Sequence, residues 1–147
     1  MQQYDYIVIG AGSAGCVVAE RLSQDPNTSV LLLEVGGKNN SALLSIPLAA
    51  AAILNNPAFS WCYNTEPEPY LNNRSINWPR GKVLGGSSSI NGMIYIRGQR
   101  QDYDGWAAQG NQGWSFDELL PYFIRNEKNS RGASSHHGDN GPQWVGE

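Results

Sequence analysis

Two glycine-rich segments limit what this chain can fold into. The first is Gly10-Ala11-Gly12-Ser13-Ala14-Gly15. The second runs Pro79-Arg80-Gly81-Lys82-Val83-Leu84-Gly85-Gly86-Ser87-Ser88-Ser89-Ile90-Asn91-Gly92. One loop of this kind holds one phosphate group. Two of them, with the acidic residue Glu34 between, fit a long dinucleotide gripped along its length.

The residues around the first segment give it meaning. Tyr6-Ile7-Val8-Ile9 is a short apolar run, the pattern of a buried parallel strand. From Ser13 to Ser23 the pattern turns helical, with Ala14, Val17, Val18, Ala19 and Leu22 on one side. Asp25-Pro26-Asn27 stops that helix. Val30-Leu31-Leu32-Leu33-Glu34 then reads as a second buried strand, completing a βαβ unit of roughly 30 residues. Gly10-x-Gly12-x-x-Gly15 therefore lies between a strand and a helix, the setting in which that pattern is informative. Gly10 permits the tight turn, Gly12 a close approach to a pyrophosphate, and Gly15 the packing of helix on strand. The helix N-terminus supplies N–H groups and a positive dipole end. Glu34 is placed to accept hydrogen bonds from ribose hydroxyls and would repel a 2′-phosphate, which disfavours NADP. These residues alone do not choose between FAD and NAD.

The rest of the chain is more broken. A short packed helix is expected near Pro47, since proline suits a first helical turn. Asn72-Asn73 reads as a hairpin tip. Residues 79–86 form a glycine-rich loop, and Ser87 to Tyr95 enters a helix or tight turn. A helix over Asp102 to Gln109 ends at Gly110. Ser115-Phe116-Asp117-Glu118 has capping-box spacing and starts another helix, which Pro121 must kink or restart. From Asn126 to Gly141 the chain is polar and loop-like. Gln143-Trp144-Val145 begins a strand. Only two strong parallel strands precede it, fewer than a doubly wound sheet needs. The chain thus reads as the front portion of something longer.

Composition excludes several classes. A net charge of −3 over 147 residues gives no broad electrostatic case for nucleic acid or an anionic membrane. Arg74, Arg80, Lys82, Arg97 and Arg100 are either solvated loop charges or partners of a diphosphate. Cys16 and Cys62 form no disulfide framework. The N-terminus lacks the basic and apolar regions of a secretory leader. The apolar stretch from Ala42 to Leu54 is shorter than the roughly 20 residues a bilayer span needs. A cytoplasmic location is expected, with peripheral membrane association left open. His136 and His137 fall in a polar loop without metal-ligand spacing, so no metal and no catalytic residue is assigned. Trp61, Tyr63, Tyr70, Trp78, Trp106 and Trp114 read as core and loop packing.

At these residues the chain resembles the glucose–methanol–choline (GMC) family of FAD-dependent oxidoreductases, and within it the choline or alcohol dehydrogenases. The resemblance runs from Tyr4-Asp5-Tyr6-Ile7-Val8-Ile9 through Leu32-Leu33-Glu34-Val35-Gly36-Gly37, the 79–93 block, Tyr95-Ile96-Arg97-Gly98, Asp102-Tyr103-Asp104 with Trp106, and Gly113-Trp114-Ser115. It implies an α/β fold: a Rossmann-like βαβ with glycine-rich loops, the N-terminal part of a larger FAD-binding domain spanning residues 1–147. It implies that Gly10, Gly12, Ser13, Ala14 and Gly15 hold the FAD diphosphate and Glu34 the ribose. Val83, Ser87, Asn91, Gly92, Met93 and Tyr95 would lie along the diphosphate-to-isoalloxazine half. The implied reaction is oxidation of a CH–OH group, in an alcohol or choline-like substrate, by hydride transfer to FAD. The family's catalytic histidine comes from a C-terminal part outside this sequence, which leaves room for a C-terminal partner segment. Ile90 stands where covalently flavinylated relatives carry histidine, so non-covalent FAD is expected. Val35 replaces the alanine usual after the acidic residue. Two other readings stay open: a non-catalytic FAD- or ADP-binding module, and an NAD-binding domain.

Overall fold

In the computed structural model, which describes residues 2–146, the chain divides into two units, one up to Ile94 and one from Tyr95 onward. The first is built on strand β1 (Tyr6–Ile9), helix α1 (Ser13–Leu22) and strand β2 (Val30–Leu33). The apolar run of each strand makes it a ladder partner of the other. They pair in parallel from Tyr6 opposite Val30 to Ile9 opposite Leu33. Two contacts extend the ladder. At one end Asp5 and Ser29 exchange backbone and side-chain hydrogen bonds, with Ser29 N–H donating to Asp5 Oδ2 at 2.8 Å. At the other, Gly10 N–H donates to Leu33 O at 2.8 Å. Glu34 follows the strand end directly.

Gly15 is fixed by contact: a Cβ there would fall on the Gly10 carbonyl oxygen. Only glycine lets α1 lie this close to the turn that precedes it.

The segment near Pro47 becomes a 3-10 turn, Pro47–Ala49, that runs into a short helix α2 (Ala50–Leu54). Strands β3 (Tyr63–Asn64) and β4 (Asn77–Trp78) form an antiparallel hairpin, Tyr63 opposite Trp78. Its tip holds Asn72 and Asn73 at φ of 57° and 53°, the left-handed region that asparagine tolerates. The core of this unit is small: Ile53, Val83 and Ile90, packed by Leu44, Leu54 and Phe59.

One face of the β1–β2 sheet is open; α1 lies on the other, beside Val8. Ile9 is 86% exposed and Val35 67%, and Ile7 and Leu33 are exposed too. Parallel sheets are normally covered on both faces.

The second unit starts from helices α3 (Arg100–Ala108) and α4 (Phe116–Asn126). Each opens with a capping box. Gln99 N–H donates to Asp102 Oδ2 at 2.8 Å, and Ser115 N–H to Glu118 Oε2 at 3.1 Å. Tyr103 is buried in an aromatic cluster, its ring centroid 5.3 Å from Trp106, 6.0 Å from Phe116 and 5.6 Å from Phe123. Arg100 holds Asp117 through two hydrogen bonds at 2.8 and 2.7 Å, and Phe116 N–H donates to Asp104 Oδ1 at 3.0 Å.

Helix α4 runs through Pro121 as one element and does not restart there, although proline removes one ladder hydrogen bond. The polar stretch from Asn126 is also not all loop. It contains strand β5 (Glu127–Asn129), paired in parallel with β6 (Gln143–Val145). Glu127 is fully buried, and the His137 imidazole hydrogen-bonds to its carboxylate at 2.9 Å. His137 is therefore tied to the fold, not simply an exposed loop residue.

Candidate dinucleotide cleft

The second glycine segment is held on two sides. Lys82 N–H donates to Phe59 O at 2.7 Å and Trp61 N–H to Arg80 O at 2.8 Å. On the other side Leu84 N–H donates to Gly37 O at 2.9 Å. This suspends residues 80–84 between the hairpin's approach and the exit of β2. From there the loop reaches the first glycine segment. Gly85 N–H donates to Ala11 O at 2.7 Å, and the hydroxyls of Ser13 and Ser88 hydrogen-bond. Gly86 has φ of +57°, and a Cβ on it would stand 2.7 Å from the Gly12 Cα. The two segments thus touch backbone to backbone.

Between them lies a cleft of about 800 Å³, a size usual for ligand sites of roughly 300–1,000 Å³. Gly10, Gly12, Ser13, Ala14 and Gly15 line it with Glu34 and Ser87, so seven expected residues meet there. The first-turn N–H groups of α1 have no acceptor within their own helix, and this turn carries no acidic residue. Those donors and the bare glycine backbone fit a diphosphate.

Glu34 does more than face the cleft. Its Oε2 accepts from Ala11 N–H and its Oε1 from Gly36 N–H, both at 2.8 Å. The carboxylate staples the turn before α1 to the turn after β2. Each oxygen keeps capacity for a second donor, so ribose hydroxyls remain chemically compatible.

Five expected residues lie elsewhere. Val83 is 1% exposed, with its side chain in the core. Asn91 and Met93 line a second cavity of about 280 Å³ together with Ser88 and Ser89. The 3-10 turn Gly86–Ser89 therefore contributes to both cavities. Gly92 is exposed between Asn91 and Met93. Tyr95 belongs to the second unit, where it lines other cavities.

Sequence reading missed Trp61 and Tyr63 as cleft residues, and left Arg80, which also lines the cleft, open between a loop charge and a diphosphate partner. Trp61 and Tyr63 stack with centroids 5.9 Å apart, the Lys82 ammonium lies 4.9 Å from the Trp61 ring, and the Arg80 guanidinium lies 4.9 Å from Trp78. Cys62 between Trp61 and Tyr63 has φ of +52°, so the chain is not extended there and no simple spacing rule marks the pair. Ile90 is buried beside Val83 and Ile53. Among the described residues no group of His, Cys, Asp and Glu is placed to hold a metal, and no helix is long and apolar enough to cross a membrane.

The fold agrees with what comparison shows. The chain belongs to the GMC oxidoreductase family, whose model matches residues 4–143. It is 50% identical over 139 residues to an oxygen-dependent choline dehydrogenase of Photobacterium profundum, covering 95% of this chain and 24% of that protein. The structure of pyridoxine 4-oxidase from Mesorbium loti matches with a TM-score of 0.89 at 36% identity, over 97% of this chain and 28% of that one. An FAD-dependent oxidoreductase from Chaetomium thermophilum matches at 0.79 and 33%, over 98% and 26%. The chain spans about a quarter of the length of these relatives. Its relatives are oxidoreductases, and their kinship implies FAD.

Proposed function

We propose that this chain forms the FAD cradle of an oxidoreductase that oxidises a CH–OH group in an alcohol or choline-like substrate. The observation that carries this reading is the meeting of both glycine segments on one cleft. The first-turn amides of α1 and the Gly12 backbone would bind the diphosphate, and Glu34 the adenosine ribose. Ser87, Asn91, Gly92, Met93 and the Val83 backbone would serve the flavin half. FAD, when bound, supplies a two-electron acceptor for the substrate hydride. It would be held without a covalent link, since the Ile90 side chain is apolar and buried.

The cleft lining includes no histidine. The reading assigns no proton-accepting base among the cleft residues. Titration of the purified chain with FAD, ADP and NAD, followed by tryptophan quenching and flavin absorbance, tests the cradle. FAD should bind most tightly, and Gly12→Val should abolish its binding. Equal affinity for NAD, or an unaffected Gly12→Val, would overturn the assignment.

A further inference from the structure

Glu127 draws three separate segments of the second unit onto one carboxylate. Its Oε1 accepts from Asn129 Nδ2 at 2.7 Å and from His137 Nδ1 at 2.9 Å, and its Oε2 pairs with Arg97 Nη2. Arg97 also donates through Nη1 to the His136 carbonyl, and its guanidinium lies 5.2 Å from the Phe123 ring of α4. Arg97 comes from the segment before α3, and His137 from the loop 134–138. That loop, Ser-Ser-His-His-Gly, has no apolar side chain to bury. Its other ties are Ser134 Oγ, which accepts from His136 and His137 N–H, and the buried Gly138, which lies against the α4 backbone at Ile124 and whose carbonyl accepts from Asn129 N–H at 2.8 Å.

We propose that Glu127 is an acid-sensitive clasp: its carboxylate holds the Arg97 segment and the histidine loop onto β5, and its protonation frees both while α3 and α4 stay folded. The charged partners facing it are Arg97 and His137. Tyr95 and Arg131 line the adjoining cavity of about 240 Å³, and β6 contributes the neutral Val145. Protonating Glu127 leaves the Arg97 side chain, only 14% exposed, facing a neutral acid. Removing one partner of a buried pair is strongly unfavourable. Helices α3 and α4 have carboxylate contacts of their own, at Asp102, Asp117 and Glu118, but also share the aromatic cluster around Tyr103, whose rings do not titrate in acid.

The direction of the pH effect follows from the surroundings. Burial pushes the Glu127 carboxyl up. The hydrogen bonds from Asn129 and His137, with the charges of Arg97 and His137, outweigh burial and hold it below the ordinary glutamate value. A depressed carboxyl contributes stability that is present above its unfolded value and lost as pH falls through the folded one. In that window, opening should rise about tenfold per pH unit, the slope of one linked proton.

Hydrogen exchange of the full chain, corrected for intrinsic rates, tests the clasp. The peptide covering 129–138 should lose protection between the ordinary glutamate range and lower pH, before peptides of α3 and α4. Glu127→Gln should show low protection in that peptide already at neutral pH, without further acid dependence. Full protection in Glu127→Gln would overturn the proposal. So would loss of loop and helix protection at one pH in the native chain, an arm that stands even if the variant does not fold. This inference is independent of the FAD reading.

Discussion

Gly86→Ala is the sharpest test of the way the two glycine segments meet. An L-residue in the left-handed region costs roughly 1–2 kcal/mol. The new Cβ would also stand 2.7 Å from the Gly12 Cα, a backbone atom that cannot swing aside. Overpacking of that kind adds about 1–3 kcal/mol. The sum of about 2–5 kcal/mol lowers the folded-to-unfolded ratio roughly 30-fold to 4,000-fold, at 1.4 kcal/mol per factor of ten. Gly12→Ala is the matched control. Gly12 has φ of −84°, and its Cβ would meet Gly86 Cα at 3.9 Å, an ordinary contact. Its stability should change by less than about 1 kcal/mol, while the methyl group at the cleft wall weakens FAD binding. Urea unfolding followed by the fluorescence of Trp61 and Trp78, with FAD titration alongside, reads both quantities. An unshifted Gly86→Ala midpoint, or a Gly12→Ala loss as large as that of Gly86→Ala, would refute the geometry.

Glu34→Gln leaves one acceptor oxygen for two backbone donors, so either Ala11 or Gly36 loses its partner. A loss of about 1–3 kcal/mol is expected for the orphaned N–H, read by urea unfolding, and an unchanged midpoint would remove Glu34 from its stapling role. Glu118 titrates below the ordinary glutamate value because the Ser115 hydroxyl and then the Ser115 backbone N–H stabilise its carboxylate against desolvation. Its contribution to α4 is therefore present above the unfolded value and lost as pH falls through the lower folded one. NMR titration of the Glu118 carboxyl should show that low midpoint, and Ser115→Ala should move it up; equal midpoints would discount the capping box.

The parts of this fold legible in the sequence are those written in local chemistry. The four-residue apolar runs, Gly10 and Gly15 specify β1, α1 and β2 through period and close packing. Asn72-Asn73 announced the hairpin tip, and Ser115 with Glu118 the start of α4. The parts that escaped depend on distant partners. Glu127-Lys128-Asn129 has poor strand propensity and becomes β5 only by pairing with Gln143-Trp144-Val145. Nothing near Glu127 in sequence marks it as buried, because Arg97 and His137 arrive from elsewhere. In the cleft, the glycine pattern exposed one wall, whereas Trp61 and Tyr63 read as packing residues and Arg80 as either a loop charge or a diphosphate partner. Val83 sat inside the informative block, yet its side chain faces the core, since a motif position does not state which way a residue points.

The hydrogen bond from Gly85 to Ala11 joins residues with β2, α2 and the whole hairpin threaded between them. The two walls of the cleft come together only when that intervening chain has ordered. On the proposed FAD reading, nucleotide uptake and folding would be one equilibrium: each tenfold excess of free ligand over its dissociation constant would deepen the native well by about 1.4 kcal/mol.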